Sequence, residues 1–112
     1  MGIADTSARR LERRWAPRYD FHANLDIEWG SAVLRASTRD ISSNGMFIES
    51  ADPLWVGAGF TANLQLEQPV KVVCFVKRVE PGRGMGVSLS FPDRQDTYLQ
   101  LISRLSQTPP SP

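Results

Sequence analysis

The sequence predicts a mainly β protein: a six-stranded antiparallel β-barrel with a C-terminal α-helix and a flexible N-terminal arm. Three observations carry this expectation. Short runs between Tyr19 and Phe91 alternate apolar and polar residues with period two, the pattern of strands wet on one face only. Turn-forming residues separate these runs at close spacing: Gly30-Ser31, Asp40 to Gly45, Asp52-Pro53, Gln68-Pro69 and Pro81 to Gly84. One amphipathic helical stretch then closes the pattern. Strands with a single apolar face fill a small barrel, and one helix can cover its side or mouth.

The elements follow in order. Residues 1 to 19 are polar and Arg-rich, with no stable period, and read as an arm. Pro17 ends any helix there and biases Ala16 toward extended geometry. Phe21, Ala23, Leu25, Ile27 and Trp29 alternate with His22, Asn24, Asp26 and Glu28, giving a continuous first strand from Tyr19. Val33 to Ile41 returns as the second, with Arg35 and Arg39 outward. Met46 to Ser50 is a short third. Phe60, Ala62, Leu64 and Leu66 mark the fourth. Val70 to Val79, rich in β-branched residues, is the fifth. Met85, Val87, Leu89 and Phe91 mark the sixth. Asp93 is placed as a helix N-cap, with Asp96 complementing the dipole in the first turn. Leu99, Ile102 and Leu105 form the helix's apolar stripe, with Tyr98 and Leu101 beside it. The Pro- and Ser-rich end reads as a disordered tail. The organisation is thus an arm over 1–12, a barrel domain over 13–106 and a tail over 107–112.

A chain of 112 residues is one domain. Apolar residues make up 41% and charged residues 22%, ordinary for a soluble globular protein. Net charge is only +1, but the first 19 residues hold five arginines against Asp5 and Glu12. A basic arm on a mildly acidic body points to an anionic ligand met by the arm. Cys74 is the only cysteine and His22 the only histidine, which excludes an intramolecular disulfide and a Cys-based metal site. Cys74 reads as a buried inert thiol, and His22 as an exposed strand residue. With no triad, metal cluster or phosphate loop, an enzyme is the least supported class. No catalytic residue, metal or cofactor is expected. No run approaches the ~20 apolar residues of a membrane span, and no apolar signal core opens the chain. A cytoplasmic setting is the expectation.

Two clusters carry the chemistry. Arg14 and Arg18 stand four apart beside Pro17, which forbids a regular helix, and look like a clamp for phosphate or guanine. Asp40-Ile41-Ser42-Ser43-Asn44-Gly45 joins two strands and has the composition of a tight turn. Arginine's planar fork matches phosphate oxygens and the O6/N7 edge of guanine. A carboxylate matches the N1/N2 donor edge. Ser42 could bond a phosphate, ribose or base atom, or order the turn. Gly45 could allow close backbone approach or a positive φ.

Arg14-x-x-x-Arg18 followed by Asp40-x-Ser42-x-x-Gly45 resembles the paired RxxxR and [D/N]xSxxG motifs of the PilZ domain family, over about residues 13 to 105. The resemblance implies a barrel fold and binding of the bacterial second messenger cyclic di-GMP by Arg13, Arg14, Arg18, Asp40, Ser42 and Gly45. Arg13 could reach a second ligand molecule, making a stacked dimer the preferred stoichiometry, or be merely solvated. Arg78 could stack on a guanine or be a solvated strand arginine. Trp15 could stack on a base or pack on the barrel, and Trp29 and Trp55 read as core or rim. Gly84-Met85-Gly86 resembles the family's glycine-rich start to the last strand. The implied output is ordering of the arm and contact with a downstream protein, with no DNA or RNA partner. Two alternatives stand beside it. One is a PilZ-like adaptor of pilus assembly or motility that binds no nucleotide. The other is a single-strand nucleic-acid barrel, disfavoured because Phe21, Trp29, Phe60 and Phe91 fall on the inward face.

Overall fold

The computed structural model of the chain describes residues 17–92 and 96–107. It contains seven strand segments: β1 Tyr19–Asp20, β2 Asn24–Trp29, β3 Ala32–Ile41, β4 Gly45–Glu49, β5 Gly59–Leu64, β6 Val70–Glu80 and β7 Gly84–Ser90. Helix α1, Asp96–Gln107, follows. All pairings are antiparallel, in the order β3-β2-β5-β6-β7-β4, and β4 pairs back onto β3. The result is a closed six-stranded barrel, with β1 an additional short pairing on β3. Among the described residues, closure leaves no long unpaired edge.

The interior is filled by the expected alternating set. Leu25, Ile27, Ile41, Met46, Ile48, Phe60, Ala62, Leu64, Val72, Cys74, Val76, Met85 and Val87 are buried in one cluster. Each large aliphatic side chain in it contributes roughly 1.5–3 kcal/mol, so the barrel rests on this cluster rather than on surface ion pairs. Cys74 is in it, and burial pushes its thiol pKa up to about 12. The apolar end of β2 forms a rim, where Trp29 meets Trp55 edge-on at 5.2 Å. Trp55 itself is largely exposed.

Two expectations are corrected. The first strand is not continuous: β1 and β2 are separated at residues 21–23. The cause lies opposite, where the register of β3 shifts between Thr38 and Asp40. Thr38 covers the break. Its hydroxyl donates to the Phe21 carbonyl at 2.5 Å and accepts from the Ala23 amide at 2.9 Å. Such side-chain substitutes for ladder bonds are what keep a buried interruption satisfied. The helix stripe also differs. Tyr98 and Leu101 are its buried residues, with Ile102 and Leu105 packed against the core. That is the i, i+3, i+4, i+7 spacing of one helical face. Leu99 is about a quarter-turn off it and is 46% exposed. The proposed N-cap, Asp93, lies outside the described residues. No helix among the described residues is long and apolar enough to cross a membrane.

Candidate functional site

Two bulges build the site. In a regular strand, successive side chains alternate between faces. On β3, Thr38 is buried inside, and both Arg39 and Asp40 follow on the outer side because the extra residue shifts the register. On β6 the register shifts between Val76 and Arg78, so Lys77 and Arg78 likewise share the outer side. Without these shifts one member of each charged pair would be driven into the apolar interior. Two adjacent charged residues within a strand run were the sequence signal for both bulges.

The register then aligns a row across four strands. Asp40 is opposite Phe47, Phe47 opposite Gly86, and Gly86 opposite Arg78. Directly opposed residues share a face. Phe47 lies between the interior residues Met46 and Ile48, so it points outward, yet it is only 1% exposed. Its cover is cationic. The Arg39 guanidinium sits 3.7 Å from the ring centroid, and that of Arg78 lies 5.6 Å away. Both arginines pair with the same carboxylate, Arg39 with Glu80 at 3.6 Å and Arg78 with Glu80 at 3.2 Å. Gly86 makes the reach possible. A Cβ there would lie 3.0 Å from the Arg78 Cγ and Nε atoms. Gly84 is stricter, since a Cβ would stand 2.1 Å from the Ile48 carbonyl oxygen.

The two sequence motifs meet at Asp40. Arg18 donates from Nε at 2.7 Å and from Nη2 at 2.6 Å, both to Oδ1. Arg39 donates to Oδ2 at 3.2 Å. The carboxylate therefore has a cation on each oxygen. One of them, Arg18, is roughly half exposed and able to exchange.

Ser42 and Gly45 hold the turn beside it. The Ser42 amide donates to the Gly45 carbonyl at 2.8 Å. The Ser42 hydroxyl is buried and donates to Asn44 Oδ1 at 3.0 Å, with the Gly45 carbonyl also in reach at 3.3 Å. The Asn44 amide donates back to that hydroxyl at 3.4 Å. Of the roles open to Ser42, turn ordering is the one seen. Gly45 is needed for close approach, because a Cβ would stand 2.8 Å from the Val87 carbonyl oxygen. Tyr98 ties the helix to this turn. Its buried hydroxyl donates to the Ser42 carbonyl at 2.6 Å, and burial raises its pKa.

Beside the turn lies a groove of about 250 Å³ lined by Arg18, Asn44, Gly45, Met46, Lys77, Arg78, Gly86, Val87 and Ser88. Among the described residues it is lined by three cations and no carboxylate. A larger groove of about 1000 Å³ runs between α1 and the barrel mouth, lined by Phe21, Ala23, Leu66, Leu101 and their neighbours. Among the described residues it includes no motif residue, so size alone does not make it the site. The structure brings together Arg18, Asp40, Ser42 and Gly45. Arg13, Arg14 and Trp15 lie outside the described residues. Arg78 is neither free nor merely solvated, being held over Phe47 and against Glu80. His22 is exposed, with Nδ1 3.1 Å from the Thr38 carbonyl. Arg39, Phe47 and Lys77 were not among the sequence-predicted site residues.

A small closed barrel carries an arginine–aspartate pair at the edge of a cationic groove. The chain matches the PilZ domain family over residues 9–107 and belongs to it. PilZ domains are binding and adaptor domains. Among solved structures, the chain is similar to the Bacillus subtilis inhibitor of motility MotI/DgrA, with 19% identity and a TM-score of 0.70. That match covers 85% of this chain and 50% of the other, so the chain spans about half the length of its structural neighbour. No curated protein sequence matches.

Proposed function

We propose that this PilZ domain is a cyclic di-GMP receptor and adaptor. The observation that carries the reading is the Arg18–Asp40 pair. It joins the RxxxR segment to the turn motif at the edge of a groove that no carboxylate lines among the described residues. In this reading the pair is a resting state. Guanine's N1/N2 donor edge takes the Asp40 oxygen that Arg18 holds, and Arg18 transfers to a guanine O6/N7 edge or a phosphate. Asp40 keeps its orientation because Arg39 holds the second oxygen. Ser42 and Gly45 fix the turn that presents Asp40. Arg14 and Arg13 bring the N-terminal segment over the same ligand, and a stacked pair of nucleotides gives Arg13 its role. The output is a changed protein-interaction surface, read by a downstream protein. The motility-inhibitor role of the structural neighbour supports motility as the process.

Isothermal titration with cyclic di-GMP, and with cyclic di-AMP as the control for the base edge, tests this. Expected are micromolar or tighter binding of the guanine ligand, loss of at least about tenfold in affinity in Asp40→Ala and Arg18→Ala, and a ratio near two ligands per chain. Each charge-assisted hydrogen bond of this kind is worth roughly 1.5–3 kcal/mol. No binding by the wild-type chain would overturn the receptor reading and leave the adaptor that binds no nucleotide.

A further inference from the structure

We propose that Lys77 is an additional anion-binding residue, the second wall of the groove that Arg18 borders, taking a phosphate of the bound ligand. The proposal rests on the groove being the ligand site, and adds a residue outside both sequence motifs. Three observations converge on it. The bulge on β6 has a visible consequence: Lys77 and Arg78 both point outward, where alternation would bury one of them. Between this wall and Arg18 the Arg78 side chain lies over Gly86 and Ser88 supplies a hydroxyl, so cations and a donor line the same groove. The charge distribution is the third. Among the described residues Arg18 is paired with Asp40 and Arg78 with Glu80, while no carboxylate pairs with Lys77.

An unpaired lysine on a surface is ordinary. Lys71, on the outer side of the same strand, is such a residue and serves as the comparison. What separates Lys77 is its place in a groove that, among the described residues, holds two further cations and no acid, in a chain whose net charge is only +1. The ammonium is a compact point charge without the geometric demands of a guanidinium, which suits a phosphodiester oxygen rather than a base edge. The division of labour is then arginine and aspartate for the guanine edges and Lys77 for the phosphate.

The test titrates wild type, Lys77→Gln, Lys77→Arg and Lys71→Gln with cyclic di-GMP at two salt concentrations. In parallel, the lysine side-chain NMR signals are followed as inorganic pyrophosphate is added. Lys77→Gln is expected to weaken cyclic di-GMP binding about tenfold and to flatten its salt dependence, as loss of one charge-assisted contact requires. Lys77→Arg, which keeps the charge, is expected to stay within about threefold of wild type, and Lys71→Gln within about twofold. Wild-type affinity in Lys77→Gln, or equal losses in Lys77→Gln and Lys71→Gln, would overturn the role. If the wild-type chain binds no cyclic di-GMP, the nucleotide reading fails and pyrophosphate decides. A shift of the Lys77 signal with Lys71 unmoved supports the anion site, and no shift at Lys77 overturns it.

Discussion

Removing the hydroxyl of Tyr98 should loosen the turn that presents Asp40. The Tyr98 ring is wholly buried, 5.1 Å from the Phe91 ring, and its hydroxyl reaches the Ser42 carbonyl at 2.6 Å. Tyr98→Phe keeps the ring and the packing, so the cavity contribution is small. It leaves a buried carbonyl without its phenol donor, which costs about 2 kcal/mol, since an unsatisfied buried acceptor forfeits most of its desolvation free energy. For a domain of this size that lowers Tm by roughly 10 °C. Thermal unfolding followed by circular dichroism measures it, and amide hydrogen exchange across Ser42 to Gly45 locates it. Faster exchange there, with the β5–β6 amides unchanged, is expected. A Tm within about 2 °C of wild type with unchanged exchange would refute the view that the helix holds the turn.

Three further outcomes follow from the packing. Gly84→Ala places a Cβ 2.1 Å from a backbone oxygen that cannot move aside, so the variant should fail to give soluble, folded protein. Gly86→Ala meets only the flexible Arg78 side chain at 3.0 Å, so it should fold within about 1 kcal/mol of wild type while displacing Arg78 and weakening cyclic di-GMP binding. Alkaline pH should destabilise the barrel. Burial raises the Cys74 pKa from 9.0 to about 12, so its contribution is intact below pH 9 and is lost as pH rises toward 12, because only the unfolded chain readily ionises the thiol. Tyr98, raised in the same direction, adds to the effect above its ordinary value of 10.0. Denaturation midpoints from pH 8 to 11, compared with Cys74→Ala, separate the thiol's share of the slope.

The barrel was legible because its physics has period two. Leu25 and Ile27, and Phe60 and Ala62, alternate with polar neighbours, Val72 and Cys74 stand in a β-branched run, and the structure buries all six. What period two cannot register is an inserted residue. The bulges at Arg39 and Lys77, and the break between β1 and β2 opposite the first, were therefore not anticipated, although the adjacent pairs Arg39-Asp40 and Lys77-Arg78 mark the places where alternation fails. Phe47 was invisible for a related reason. In the short run Met46-Phe47-Ile48 every residue is apolar, so nothing distinguishes the outward ring from its inward neighbours, and its burial depends on arginines distant in sequence. Leu99 was misplaced because 99, 102 and 105 are spaced by three only, while the 98, 101, 102, 105 set follows the helical period. Of the site, a shared role for Arg18 and Asp40 was implied only by the resemblance, and their direct ion pair was not anticipated. The cationic wall of Lys77 and Arg78 is a product of register, which needs the folded sheet.

The most direct examination of the central claim, that ligand binds at the Arg18–Asp40 groove, is an amide chemical-shift map of the labelled chain with and without cyclic di-GMP. The expected map has its largest changes at Arg18, Asp40 to Gly45, Lys77, Arg78, Gly86 and Ser88. Little change is expected along the larger groove, at Phe21 to Asn24 and Gln65 to Gln68. Changes concentrated in that larger groove beneath α1, or none anywhere at saturating ligand, would contradict it.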